Sequence, residues 1–213
     1  AVREGVAWMT SYVGTVKRPV RTMTDVEIAK VLRVSGEHRD GFRDHVIISL
    51  ALSTGLREHE IVALNVGDVS LEGVRCKRHV KLRVYKRSSK DPALQEITLS
   101  DGVRAKIEKL LHVRTREEKM LSLDAPLFVS RCHKRLSTRQ LRRAFKVWQE
   151  RAGLERRFNL HATRHTAVTW VYRRTHDIRL TQRFARHTSI ESTMIYTHSS
   201  DEDLLRAVQE QPY

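Results

Sequence analysis

Hydrophobic residues recur with helical spacing over most of this chain and with alternating spacing over one short part of it. The helical period predicts a short helix after Arg57 and longer ones at residues 24–35, 42–53, 101–121, 138–152, 160–174, 177–186, 189–196 and 201–209. In residues 79–86, alternating apolar positions instead predict a β-strand with one side in water, and Ile97-Thr98-Leu99 is its predicted partner. The predicted fold class is α+β, mostly α-helical with a small antiparallel β-sheet.

Three local signals fix helix ends. Thr24 and Ser137 are each followed three residues later by Glu or Gln, which is the pattern of a capping box at a helix start. Gly55 follows the second predicted helix and can adopt the left-handed conformation that closes a helix. We expect a connector at residues 1–21, one domain at residues 22–200 and a C-terminal tail helix at residues 201–213.

The charge balance indicates an acidic polymer as partner. The chain has 40 Lys and Arg against 25 Asp and Glu, a formal net charge of +15. Such a field favours nucleic acid, although a generic basic protein is the alternative interpretation. Aromatic residues make up only 6% of the chain, so stacking along a single strand is not indicated. The expected contacts are to the phosphates of double-stranded DNA.

Other bulk features place the protein in the cytoplasm. Cys76 and Cys132 follow no metal-binding or redox spacing, which is typical of a reducing compartment. The sequence contains neither an apolar run of roughly 18 residues nor a secretory signal, so no membrane association is expected. The expected localisation is cytoplasmic and nucleoid-associated.

The stretch LHATRHTAV at residues 160–168 raises the question of a metal site. His161 and His165 would share one helix face, as in zinc proteases, but Ala162 occupies the position of the catalytic glutamate. Arg164 would also repel a dication, so no metal is predicted. Arg164 lies instead on a helix row that becomes apolar, and a guanidinium directed at a core needs a partner. An ion pair with an acid and a packed stem with its head in water both remain open.

Four motifs combine into a family pattern. They are Arg57 in TGLR, Lys86 at the end of the predicted strand, HATRH at residues 161–165, and a histidine nine residues before a tyrosine (His187 and Tyr196). This order resembles the catalytic domain of tyrosine recombinases, the phage-integrase and Xer-like family, over residues 22–200. The resemblance implies a site-specific DNA recombinase that needs no cofactor and acts on double-stranded DNA as a tetramer on two sites.

The resemblance also implies a role for each matching residue. Arg57 and Arg164 would clamp the scissile phosphate, with His187 adding a hydrogen bond. Tyr196 would be the nucleophile and His161 the base candidate. Lys86 would protonate the leaving group, with Lys90 as a rival because that loop varies in length. The catalytic set is therefore Arg57, Lys86, His161, Arg164, His187 and Tyr196.

Several residues around this set receive supporting roles. Glu60 resembles the acid that orients the first arginine, and His165 is expected to hydrogen-bond across its helix to fix the site, with a surface position as the alternative. Arg186 stands where the family usually has glycine, and could alter packing or add a phosphate contact. The predicted DNA contacts are Lys81, Arg83, Arg87, Lys90, Arg139, Arg142, Arg143 and Arg186, although a solvated charge is an equal alternative for each of the first seven.

Further expectations concern the core, the tail and the rival functions. Trp148 and Trp170 occupy helical positions typical of a core. The apolar stripe of the tail would dock on a neighbouring protomer or pack on its own domain. The alternatives to a recombinase are a type IB topoisomerase-like enzyme and a DNA-binding relative without catalysis, but the intact motif residues favour an active recombinase.

Overall fold

The computed structural model describes residues 20–70, 74–83, 96–117, 121–196 and 209. Its elements follow the chain in this order: α1 (Asp25–Glu37), α2 (Phe42–Thr54), α3 (Glu58–Ala63), α4 (Val66–Val69), β1 (His79–Lys81), β2 (Glu96–Thr98), α5 (Asp101–Glu117), α6 (Thr138–Arg151), α7 (His161–Thr175), α8 (Ile178–Ala185) and α9 (Glu191–Met194). The predicted fold class, mostly α-helical with a small antiparallel sheet, is confirmed.

The predicted helix-start and helix-end signals are all present. Thr24 and Ser137 both form complete capping boxes, in which the hydroxyl accepts from a backbone amide and the following acid or amide side chain accepts in return. Gly55 closes α2 in the left-handed conformation, with φ of 60°. The carbonyl oxygen of Gly55 accepts a hydrogen bond from Arg164 of α7.

Helix α2 lies at the centre of the core. It packs against α1, α5, α6 and α7, and its residues Val46, Ile47, Leu50 and Ala51 are all completely buried. A helix that is apolar on nearly all sides requires such complete covering. As a result, α2 is a rigid support for the loop that follows Gly55.

Within the described residues, the β-sheet has two strands. β1 and β2 pair antiparallel, with Val80 opposite Ile97, and both of these side chains face the core. The alternation predicted from the sequence continues to buried Leu82 and exposed Arg83. β1 ends at Lys81, short of the predicted residue 86, and residues 84–86 lie outside the described residues.

Three further features differ from the sequence-based expectation. The one-turn helix α4 was not predicted, because four residues are too short to show a period. Helix α9 ends at Met194, short of the predicted residue 196. Trp148 is buried and donates its indole N–H to Asp44 at 2.8 Å, but Trp170 is 55% exposed, so its predicted core position is wrong.

Candidate active site

Four helix ends bring together the predicted catalytic residues that lie in the described part of the chain. Arg57 lies at the start of α3, HATRH forms the first turn of α7, His187 follows the end of α8, and Tyr196 follows α9. Helix termini carry unpaired amides and carbonyls, which makes such a convergence suited to charged groups. The residues of separate motifs therefore meet in one place, although up to 139 positions separate them in sequence.

Arg164 is buried, with 2% of its surface exposed, and its guanidinium is held by backbone carbonyls. It donates to the carbonyl oxygens of Gly55 and Ala185, which lie at the C-terminal ends of α2 and α8. Helix C-termini carry partial negative charge, so they hold the cation without a full counter-charge. Neither of the two alternatives left open by the sequence describes this arrangement.

Glu60 is completely buried between two arginines. Its carboxylate accepts from the backbone amide of Arg57 at 2.7 Å and from the Arg57 guanidinium at 3.0 Å. Glu60 also pairs with Arg186 at 2.8 Å. Burial alone would raise the pKa of Glu60, but the charge of Arg186 and the bonds to Arg57 bring it below its usual value. The predicted contact between Glu60 and Arg57 is thus present in the structure.

Arg186 is a core residue, which overturns the prediction that it contacts DNA. Its side chain is 1% exposed and ion-paired with Glu60, so it cannot reach a duplex on the surface in this structure. Its backbone is left-handed, with φ of 53°, in the position that closes α8. Two of its guanidinium nitrogens, Nε and Nη1, are buried and lack a hydrogen-bond partner among the described residues. Arg186 thus combines a strained backbone conformation with buried guanidinium N–H groups whose hydrogen bonds are not made.

The Tyr196 hydroxyl lies beside a histidine of α7. Tyr196 is 6% exposed, and its phenol oxygen lies 2.7 Å from Nδ1 of His165. Burial raises the pKa of Tyr196 above its usual value, although the charges of Arg164 and Arg57 act in the opposite direction. The phenol therefore stays protonated at neutral pH. His165 contacts the predicted nucleophile itself, a closer role than the sequence indicated.

His187 lies on the other side of Tyr196. Its ring stacks nearly parallel to the tyrosine ring, at 6.2 Å between centroids, and its Nδ1 is 3.0 Å from the hydroxyl of Thr193. Burial, followed by the positive charge of Arg164, lowers the pKa of His187 to about 4. His187 is therefore neutral at physiological pH. A neutral ring can still donate a hydrogen bond, and it adds no charge that the two neighbouring arginines would repel.

His161 begins α7 on the exposed side of the site. Its ring meets that of His165 edge-on, with 4.5 Å between centroids. Burial of its inner side and the charges of Arg164 and Arg57 lower the pKa of His161 below its usual value. Its position at the open side suits contact with an incoming ligand more than contact with the buried Tyr196 hydroxyl.

Apart from Arg186, the predicted DNA contacts divide into three groups. Lys81, Arg139 and Arg143 are exposed. Arg83 and Arg142 are exposed but paired with acids, Arg83 with Asp68 and Arg142 with Glu58. Arg87 and Lys90 lie outside the described residues, as does Lys86 of the predicted catalytic set.

Besides the carbonyl contacts of Arg164, sequence reasoning missed two contacts in this site. No local signal marks the ion pair of Arg186, since its partner Glu60 lies 126 residues away. The bond from His165 to Tyr196 follows from the helical spacing of HATRH only once the position of α9 is known. Among the described residues, no group of three or more His, Cys, Asp or Glu is arranged to hold a metal ion. No helix in the same part of the chain is long and apolar enough to cross a membrane.

The sequence matches the phage integrase family over residues 21–203. Tyrosine recombinase XerC of Caldanaerobacter subterraneus is 32% identical over 201 residues, which cover 93% of this chain and 52% of the relative. Tyrosine recombinase XerC of Chlamydia muridarum is also 32% identical, over 75% of this chain and 48% of the relative. The chain thus spans about half the length of these curated relatives.

Solved structures share the fold. The crystal structure of XerA recombinase superposes with a TM-score of 0.73 at 25% identity, covering 92% of this chain and 66% of that one. XerH recombinase bound to its difH substrate gives a TM-score of 0.70 at 22% identity, over 93% of this chain and 56% of that one. The catalytic domain of bacteriophage HP1 integrase gives 0.59 at 19% identity, over 91% of this chain and 96% of that one. With the family match across most of its length, the chain belongs to the phage integrase family of tyrosine recombinases.

Proposed function

We propose that this chain is the catalytic domain of a site-specific DNA recombinase that cuts and rejoins strands through a 3′-phosphotyrosyl bond. One observation carries the proposal: a buried tyrosine hydroxyl lies among two arginines and three histidines contributed by separate helix ends. In this proposal Arg57, Arg164, His161, His187 and Tyr196 act as the catalytic set, together with Lys86 from outside the described residues.

The charge of the site suits a phosphodiester. Attack on phosphorus builds negative charge on the non-bridging oxygens, and planar guanidinium groups can hold those oxygens in pairs. Preorganised donors of this kind each contribute about 3 to 4 kcal/mol to the transition state. Arg164 is preorganised by its two carbonyl contacts and Arg57 by Glu60. In this proposal the arginines do the work that a metal ion does in many nucleases.

The covalent intermediate explains why no nucleotide cofactor is needed. The Tyr196 oxygen replaces the 5′-oxygen of DNA on phosphorus, so the energy of the phosphodiester is retained in the new ester. The leaving 5′-oxygen needs a proton, and Lys86 is the proposed acid. A 5′-hydroxyl from another strand then attacks the phosphotyrosine and completes the exchange.

Double-stranded DNA is the proposed substrate, and further copies of the chain are proposed partners. Exposed Lys81, Arg139 and Arg143 are the proposed phosphate contacts, because their charges are directed to solvent. XerH bound to difH and the Tn1549 transposon integrase in complex with transposon right-end DNA are DNA-bound relatives in fold, which supports this substrate class. A tetramer on two sites, and docking of the tail at residues 201–213 on a neighbour, belong to the same proposal.

Covalent capture tests the function. A pool of nicked duplexes with a randomised centre is incubated with the protein and EDTA, denatured in SDS, and the DNA that stays attached is sequenced. We expect an adduct with wild-type protein and none with Tyr196→Phe, which should bind the same DNA. A strand added with a free 5′-hydroxyl should be joined to the cleaved end.

Other outcomes would reject specific parts of the proposal. DNA binding without an adduct would reject an active recombinase in favour of a binding module. An adduct that rejoins only its original strand would point to a nicking-closing enzyme. An adduct that persists in Tyr196→Phe would remove the assignment of the nucleophile.

A further inference from the structure

We infer that His165 is the proton acceptor for Tyr196, the group that takes the phenol proton as the tyrosine oxygen attacks phosphorus. This inference rests on the proposed function and adds a catalytic residue to it. It replaces the role of base that the family resemblance implied for His161.

The geometry places a ring nitrogen directly at the reacting atom. Nδ1 of His165 lies 2.7 Å from the Tyr196 oxygen, within the range that proton transfer requires. Among the described residues, no other side chain forms a hydrogen bond with that hydroxyl. The contact joins α7 to the end of α9, so it needs both elements in their folded positions.

The two neighbouring histidines are less suited to this role. His187 stacks beside the tyrosine ring, and its Nδ1 faces Thr193 rather than the phenol oxygen. His161 is exposed at the start of α7 and meets the ring of His165 instead of the hydroxyl. Of the three, only His165 has a ring nitrogen hydrogen-bonded to the Tyr196 hydroxyl in the part of the chain that the structure describes.

The backbone around His165 is firmly held, which preserves this alignment. Its neighbour Arg164 is bonded to the ends of α2 and α8, and Thr166 accepts from the backbone amide of Met23 at 2.9 Å. Both neighbours are buried. A base on such a support needs little reorganisation when substrate binds.

His165 is also in the correct protonation state. Burial, followed by the charges of His161 and Arg164, lowers its pKa to about 4, so the ring is neutral at physiological pH. The phenol, whose pKa is raised, holds its proton and donates it. The other ionisable groups around this pair are Arg57 of α3 and His187 after α8.

In the proposed cleavage step, each bond formed is matched by a bond broken. The Tyr196 oxygen forms a bond to phosphorus while the bond from phosphorus to the 5′-oxygen breaks. The phenol proton passes to Nδ1 of His165, and the leaving 5′-oxygen takes a proton from the proposed acid Lys86. In the reverse step, His165 returns its proton to the tyrosine oxygen as that oxygen leaves.

A sulfur-substituted substrate separates the base from the acid. The DNA site recovered by covalent capture is made with a normal phosphodiester and with sulfur in place of the bridging 5′-oxygen. Because a thiolate leaves without protonation, loss of the acid is repaired by sulfur but loss of the base is not. Adduct formation is timed for wild type, His165→Ala, His165→Asn and the exposed control His112→Ala, with Lys86→Ala as the comparison for acid loss.

We expect His165→Ala to slow adduct formation by about a hundredfold to ten-thousandfold on both substrates, as loss of a general base does. His165→Asn should be equally slow, because its amide can accept a hydrogen bond but cannot take the proton. Added imidazole should partly restore His165→Ala. A fluorinated tyrosine of lower pKa at position 196 should reduce the effect. His112→Ala should match wild type.

Three results would overturn the inference. Full activity in His165→Asn would mean that the residue only positions the tyrosine. Rescue of His165→Ala by the sulfur substrate would assign it to the leaving group. An unchanged rate in His165→Ala would exclude either role. Since wild-type adduct formation is measured alongside, failure of this inference is distinct from failure of the proposed function.

Discussion

Removing one carboxylate charge from the centre of the site should destabilise the whole domain. Glu60→Gln keeps the size and shape of the side chain but leaves Arg57 and Arg186 without their shared counter-charge. Glu60 and the Arg186 side chain are at most 1% exposed, so water cannot replace the lost charge. This substitution isolates the electrostatic contribution of one carboxylate charge.

The magnitude follows from burial. Breaking a buried ion pair by removing one partner costs about 3 to 5 kcal/mol, because the other charge stays buried. For a domain of this size, that corresponds to a fall in melting temperature of roughly 6 to 20 °C. Arg57, with 21% of its side chain exposed, can turn to water, so Arg186 accounts for most of the cost.

Two further variants serve as controls. Glu58→Gln makes the same change on the same helix, but Glu58 pairs with Arg142, whose side chain is 65% exposed. It should cost less than about 1 kcal/mol. Arg186→Gly leaves Glu60 paired with Arg57 and relieves backbone strain of about 1 to 3 kcal/mol, which offsets much of the lost packing.

Urea and thermal unfolding followed by circular dichroism measure these differences. The double variant, Glu60→Gln with Arg186→Gly, should be more stable than Glu60→Gln alone, because the unpaired cation is gone. An unfolding midpoint for Glu60→Gln equal to that of Glu58→Gln would refute the reasoning. A double variant that is less stable than both Glu60→Gln and Arg186→Gly would also refute it.

Two other predictions concern the histidines and the glycines. The pKa of His165 and of His187 is about 4 in the folded chain, against an ordinary 6.5, so the unfolded chain binds more protons between these two pH values. The unfolding free energy should therefore fall as the pH drops from about 6.5 to about 4. Replacing both histidines by Asn should flatten that dependence in urea titrations. Gly55→Ala should destabilise the domain by more than about 1 kcal/mol, because φ is 60° and a new Cβ would lie 3.3 Å from Phe184. Gly102→Ala, in an open part of α5, should stabilise it by up to about 1 kcal/mol. Equal unfolding midpoints for the two variants would contradict this.

Local rules account for the parts of the fold that the sequence predicted. The capping boxes at Thr24 and Ser137 and the closing conformation of Gly55 depend on residues within four positions of one another. The alternation of Val80 and Leu82 likewise needs only the period of a strand. Propensity and period are sufficient wherever the partner of a residue is its near neighbour in sequence.

The contacts that could not be predicted join distant segments. Glu60 and Arg186 are 126 positions apart, and His165 and Tyr196 are 31 apart. Trp170 shows the same limit: its helix was predicted correctly, but which face of α7 is covered depends on the other elements around it, and Trp170 lies on the open face. The motif spacing predicted that Arg57, Arg164 and Tyr196 lie near one another but not which residues around them touch.

The charges of the site match those of the reaction it is proposed to perform. Three guanidinium groups, those of Arg57, Arg164 and Arg186, surround one carboxylate, and the neighbouring histidines are neutral, so two positive charges remain uncompensated. A phosphodiester under attack gains a second negative charge, which this surplus would stabilise. Arg164 contributes its full positive charge to this surplus, because the carbonyl dipoles that hold its guanidinium do not neutralise it.

Because Arg186 supplies one of these positive charges, we expect it to affect the reaction although its side chain is buried. Without its guanidinium, Glu60 would compensate Arg57 alone and the surplus would fall to one charge. Arg186→Gly should therefore slow adduct formation by about tenfold to a hundredfold even where it folds as stably as wild type, since low-dielectric surroundings transmit the charge. The rate is measured on the captured site, at a temperature well below both unfolding midpoints. A wild-type rate in Arg186→Gly would show that its charge serves only to hold Glu60 in the core.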